Sequence, residues 1–247
     1  MPDNQLIGLA TDFFQNSLDT SPTSAIMRGH KQYFDQIEQL TEDQFEREEE
    51  IVDSFIKRLN AIDQNQLTNR EKVTHGMLEF ALNSNKDSLL DRNWEFGAGV
   101  SGFTGFLIDY NQQMFIPDSE SADMMLKRLE LYKRLYTQIA EVQKVGLNNN
   151  RVATERNLLR TIDQLENYLA SSLDQDPLLL VNFSPKISDT EISEWKDKAI
   201  NIIESNIRPT VSAYLDQLKT EHLPKGRGDD KCGIMWIDGG EESYLRS

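Results

Sequence analysis

Apolar residues recur at spacings of three and four through most of this chain, the period of a helix that buries one face. Leu6, Leu9, Ala10 and Phe13 open the pattern, and a loop containing Ser21-Pro22-Thr23 closes it. A short element near Tyr33 to Leu40 follows. Thr41-x-x-Gln44 reads as a capping box, in which two side chains satisfy the free N–H groups that begin a helix. Phe45, Val52, Phe55, Ile56 and Leu59 form the stripe behind it. Thr68-x-x-Glu71 opens the next helix in the same way, with Val73, Met77, Phe80 and Ala81 expected to face inward. The clearest helix is expected over about 121–145, where Ala122, Met125, Leu129, Tyr132, Tyr136 and Ile139 share a face. Gly146 stands where a helix-ending glycine belongs.

Leu158, Ile162, Leu165 and Leu169 give a further stripe. The run from Leu178 to Phe183 suits either a strand or a buried turn. Ser188-x-x-Glu191 caps a long last helix carrying Ile192, Trp195, Ala199, Ile202 and Asn206. Pro209 should kink or split it, because proline lacks the donor for the preceding turn and crowds it. Val211, Tyr214, Leu215 and Leu218 resume the stripe. Two regions lack the period: 97–117, rich in glycine and aromatics, and 222–247, rich in turn residues. The pattern therefore predicts an all-α fold, an irregular array of six to eight helices with little strand. Residues 1–221 form the helical domain and 222–247 a turn-rich segment.

Composition narrows the partners. The 247 residues include 41 acids against 26 bases, a formal charge of −15. Such a field repels nucleic acid and anionic membranes, and the bases of Lys127-Arg128 and Lys133-Arg134 alternate with acidic or apolar residues instead of forming a patch. No stretch approaches the ~20 apolar residues that span a bilayer. Met1-Pro2-Asp3-Asn4 shows neither the basic nor the apolar part of a secretory signal, which points to the cytoplasm. Cys232 is the single cysteine, so an internal disulfide or a multi-thiolate zinc site is excluded, and a small, partly buried hydrophobe is expected there.

Candidate chemistry is sparse. Gly97-Ala98-Gly99-Val100-Ser101-Gly102 satisfies G-x-G-x-x-G, but the dinucleotide fingerprint needs a strand before it and a helix after it. Neither fits here, and a packed loop is the expectation. Gly99-x-Ser101 fails as a nucleophile elbow because Phe103 stands where the closing glycine is required. The three histidines, His30, His75 and His222, never pair at i, i+4. His75 and Glu79 share a helical face and could supply half a zinc site, though a polar pair on an exposed face is the plainer reading. Glu46, Glu48, Glu49 and Glu50 lack Ca²⁺-loop spacing and read as a solvated face. Asp53 and Lys57 read as an i, i+4 pair, and Met124-Met125-Leu126 as core.

In order along the chain, several segments resemble one family. Pro22-x-x-Ala25-x-x-x-Gly29 is followed by Tyr33 and Asp35, then by Ile62-Asp63-x-x-x-Leu67 before a helix. Pro117, Ala122 and Arg128-Leu129 come next, then Val145-Gly146 with Arg151, and last Gly233, Gly240 and Tyr244. This set resembles the N-terminal half of the bacterial domain of unknown function 885 proteins. The triple asparagine at 148–150 departs from the proline-containing loop of that pattern.

The resemblance implies a zinc metallopeptidase of neurolysin-like helical fold, with H-E-x-x-H and a further glutamate ligand in the C-terminal half. No catalytic, cofactor-binding or metal-binding residue is carried over to this chain. Zinc is expected only in a missing C-terminal half, with a peptide as substrate and these helices as one wall of the cleft. The apolar run Ile234-Met235-Trp236-Ile237, with Tyr244 and Leu245, is expected to lack cover and either to promote self-association or to leave this tail poorly ordered. The alternative is a non-catalytic helical protein-interaction module, which would tuck Trp236 and Leu245 into its own core.

Overall fold

The computed structural model describes residues 2–97 and 113–246. It is mostly helical, as the periodicity predicts. Helices α1 (Pro2–Thr20), α2 (Pro22–Met27), α3 (Glu42–Asn60) and α4 (Asn69–Asp91) precede α5 (Ser119–Asn148), α6 (Glu155–Ala170), α7 (Asp189–Ile202), α8 (Arg208–Gln217) and α9 (Gly240–Arg246). Strand is confined, among the described residues, to β1 (Phe115–Ile116) and β2 (Asn182–Phe183), paired in parallel with Phe115 opposite Asn182. The run from Leu178 to Phe183 is thus both things in turn, since a 3₁₀ turn at Pro177–Leu179 leads into β2. No described helix is long and apolar enough to cross a membrane.

The larger core is built around α5. Met125, Leu129, Tyr132, Leu135 and Tyr136 are fully enclosed there, against Trp195, Ala199, Ile203, Ile207 and Val211. Several polar groups inside it find partners, as burial demands. The Trp195 indole donates to the Ala122 carbonyl at 2.9 Å, and the Tyr214 hydroxyl donates to Gln143 Oε1 at 2.7 Å. Arg128, wholly buried, donates to the Gln36 carbonyl and to the Thr23 hydroxyl. Met124 and Leu126 pack against this core beside Met125.

Capping boxes at Thr68 and Ser188 form as expected, each with reciprocal bonds to the glutamate three residues on. At Thr41 only half the box forms: the hydroxyl accepts from Gln44 N, while the Gln44 side chain turns away to Glu48. Two further expectations are corrected. α5 does not stop at Gly146 but runs through it to Asn148. The glycine is required by packing, because a Cβ there would lie 2.3 Å from the Glu95 carbonyl oxygen. The left-handed residue after the helix is Asn150, at φ 54°, so the asparagine run performs the turn.

The buried stripe of the late helix is also shifted. Ile203 and Ile207 are buried where Ile202 and Asn206 were expected. The chain forms a π turn at Ile203–Ile207 immediately before Pro209, and a second at Leu218–His222 immediately before Pro224. Each wide turn takes up the carbonyl that the proline cannot bond, and it keeps residues four apart in line.

A smaller core joins α1, α3 and α4 through Leu6, Leu9, Phe55, Leu59, Leu78 and Leu82. Here the inward face of α4 is His75, Leu78 and Leu82. Val73, Met77 and Phe80, expected inside, are 62%, 69% and 76% exposed. α4 carries two apolar stripes on opposite sides, and its packing on α3 and α1 selects the leucine side.

Candidate functional site on the outer face of helix α4

α4 ends at Arg92, whose left-handed backbone (φ 46°) turns the chain into a 3₁₀ turn at Asn93–Glu95. That turn drives Glu95 against Gly146 of α5, leaving its side chain 2% exposed. A carboxylate so buried needs cationic partners. Arg92 Nε lies 2.5 Å from Oε1 and Arg151 Nε 2.7 Å from Oε2. The second contact is an ion pair whose N–H does not point at the oxygen, since both atoms lack a hydrogen bond of acceptable geometry. Arg151 also donates to the carbonyls of Asp91 and Asp238.

The same network secures the turn-rich segment. Arg246 Nη2 and the Ser243 hydroxyl both donate to Asp91 Oδ1, at 2.6 and 2.5 Å. α9 is thereby held beside the end of α4. Between them lies a groove of about 540 Å³, lined by Gly76, Glu79, Phe80, Asp87, Asp91 and Arg246 among others. One wall of the groove continues into the exposed stripe of Val73, Met77 and Phe80. In the tail Met235, Trp236, Tyr244 and Leu245 are exposed, whereas Ile237 is buried. The expectation of uncovered apolar side chains in this tail is met at Met235, Trp236, Tyr244 and Leu245, but Ile237 is buried and Ile234 half-buried; Trp236 and Leu245 are not tucked into the core.

A second hollow, about 400 Å³, lies among α1, α3 and α4. Trp94 stacks on Phe45 beside it with ring centroids 3.9 Å apart. Glu48 lines it too, and burial raises its carboxyl above the ordinary range despite the hydrogen bond from Gln44.

His75 and Glu79 do not make a metal site. The imidazole is 3% exposed and belongs to the inner face, whereas Glu79 opens onto the groove, with 4.0 Å between Nδ1 and Oε2. Among the described residues no group of three His, Cys, Asp or Glu side chains could hold a metal.

His222 is buried between the carbonyls of Gln217 and Gln143, and Glu221 pairs with Lys144 at 2.9 Å. Cys232 is exposed, which corrects its reading as a partly buried hydrophobe. Asp53 pairs with Lys86 of α4 at 2.5 Å, not with Lys57. The acidic run is solvated at Glu46 and Glu50 and half-buried at Glu48 and Glu49. Of the glycine-rich segment, 98–112 lies outside the described residues, and the dinucleotide and nucleophile motifs lie there with it.

The sequence reading missed the Arg92–Glu95–Arg151 network and the outward stripe of α4. The available signal for the second was the pair of competing stripes on one helix.

No curated protein matches the chain. Among solved structures, it is similar to the crystal structure of a putative lipoprotein from Colwellia psychrerythraea, with a TM-score of 0.81 at 16% identity. That likeness covers 99% of this chain but spans only 45% of the other. The matching family, bacterial proteins of unknown function (DUF885), extends over residues 22–247, and the chain belongs to it.

Proposed function

We propose that this chain is the N-terminal helical portion of a zinc-dependent peptidase, supplying one wall of a peptide-binding cleft and none of the metal ligands. The observation that carries this reading is the fold match, in which the whole chain corresponds to 45% of a longer protein. The uncovered tail supports it, since residues such as Leu245, 78% exposed, are placed where more structure would cover them. In this reading 1–221 is the helical domain, 222–247 leads into the second portion, and zinc and the general base belong to that portion. The compartment proposed for it is the cytoplasm. The description of the structural neighbour as a lipoprotein makes the cell envelope the alternative, to be decided by fractionation.

The test compares the chain with a polypeptide extended to the length of its structural neighbour. The chain alone should hold no stoichiometric zinc after mild chelation and should cleave no peptide. The extended protein should cleave peptides and lose that activity to a chelator. An extended protein that is zinc-free and inert would overturn the peptidase reading. It would favour the second reading, a non-catalytic helical interaction module, for which the same uncovered face is the supporting observation.

A further inference from the structure

The outward stripe of α4 is left exposed by the chain's own fold. Val73, Met77 and Phe80 stand at i, i+4 and i+7, the spacing by which one helix engages another. Gly76 lies among them. A Cβ added there would meet nothing within 4 Å, so the chain's own packing does not demand glycine. Glycine is among the costliest residues in a helix interior. An approaching backbone is a reason to keep it, because a glycine lets a partner come close.

The charge beside the stripe narrows the partner. Glu79 and Asp87 line the adjoining groove, and Asp91 already has Arg246 as its counter-ion. Among the described residues Glu79 has only His75 as an ionic partner, at 4.0 Å, and the side chain is 53% exposed. A second copy of this chain, at −15, would bring more negative charge to an acidic groove. A helix with an apolar ridge and flanking Lys or Arg would satisfy both features.

Resting on the two-part reading above, we infer that the stripe of Val73, Met77 and Phe80, with Gly76 and the acidic groove, is the docking face for a basic amphipathic helix from the second portion of the fold. The apolar ridge lies over Gly76, Phe80 fills the centre of the contact, and the basic flank faces Glu79 and Asp87. The surplus of structure in the neighbour, beyond the 45% that this chain covers, supplies the occupant.

The test uses the chain as it is and two synthetic helical peptides with the same leucine ridge, one flanked by lysines and one by glutamates. Fluorescence anisotropy should show the lysine peptide binding at least tenfold more tightly, with the advantage shrinking as salt is raised. Phe80→Ser and Gly76→Leu should each weaken that binding at least tenfold while leaving the thermal midpoint within a few degrees of wild type. Leu159→Ser, an exposed apolar residue on α6, should change nothing. Equal binding of the two peptides, or unchanged binding by Phe80→Ser, overturns the assignment. So does a dimer in sedimentation velocity that Phe80→Ser dissolves and the lysine peptide cannot displace, which would give the face to a second copy. The readout involves neither zinc nor hydrolysis, so failure here leaves the peptidase reading standing, and failure there leaves the docking face standing.

Discussion

The core around α5 and the outer face of α4 are both written in apolar residues at helical spacing, yet one is sealed and the other open. Around α5 the stripe meets other stripes, and even the fully buried Arg128 finds the Gln36 carbonyl and the Thr23 hydroxyl. On α4 the stripe of Val73, Met77 and Phe80 is left exposed, while His75, Leu78 and Leu82 behind it carry the packing. Periodicity therefore reports that a face wants cover. It does not report whether the cover comes from the same chain.

The comparison is broken most forcefully at the sealed side. Asp176 is fully buried, and Arg208 Nη2 reaches its Oδ2 at 3.0 Å while Nη1 donates to the Ser171 carbonyl. Arg208→Met would leave that carboxylate uncompensated, and a broken buried pair costs about 3–5 kcal/mol. The urea midpoint of the variant should fall accordingly. A loss below about 1 kcal/mol would show that the site is wetter than its burial implies.

Within α4 the two faces should part company. Leu82→Ala, at a position 0% exposed, should cost about 2–5 kcal/mol through lost burial and the cavity left behind. Phe80→Ser, two residues away, should stay within about 0.5 kcal/mol of wild type, as exposed substitutions do. Chemical denaturation of the two variants settles the matter. Comparable losses would mean that Phe80 is covered by the chain itself, and the contrast between the regions would collapse.

A third substitution probes the joint between them. Gly146→Ala gains helix propensity but sets a Cβ against the Glu95 carbonyl, whose turn is pinned by Arg92 and Arg151 and cannot easily retreat. Overpacking of this kind costs about 1–3 kcal/mol, enough to outweigh the gain of about 1 kcal/mol in propensity. A stabilised variant would show that the turn yields.

What was legible in the sequence follows the range of the interactions. The boxes at Thr68 and Ser188 involve residues three apart, and the stripe of α5 is repeated often enough to allow one face only. Three features depended on distant residues and were not legible: the choice between the faces of α4, the contact that demands Gly146, and the arginines around Glu95. The π turns before Pro209 and Pro224 lie between these cases, since proline announced a disturbance but not its form. Several of the residues that carried the family resemblance turn out to hold packing together. Ala25 and Arg128 are fully buried, Arg151 braces Glu95, and a Cβ at Gly240 would collide with the Ile234 carbonyl. This explains why the family was readable from the chain while no reactive site was.

The smallest effect expected concerns Glu48, which separates a merely half-buried polar position from both extremes. Burial raises its carboxyl above the ordinary value, and the bond from Gln44 Nε2, 3.0 Å from Oε1, only partly opposes this. The folded state then holds the proton more tightly than the unfolded chain. Between the unfolded value, near pH 4.3, and the raised folded one, folding takes up a proton, so stability rises as pH falls through this window. Above it the ionised group is a standing penalty. Glu48→Gln keeps an acceptor for Gln44 and removes the charge. The variant should therefore exceed wild type in urea midpoint at pH 7, and the difference should shrink toward about pH 4, where the wild-type carboxyl is mostly protonated in both states. The side chain is partly open to solvent, so the expected gain is small, and midpoints at pH 4, 5.5 and 7 should be measured in one buffer series. A variant less stable than wild type at pH 7 would mean that the carboxylate has a favourable partner in the hollow beside Phe45 and Trp94, and that this hollow is better adapted to charge than its burial suggests.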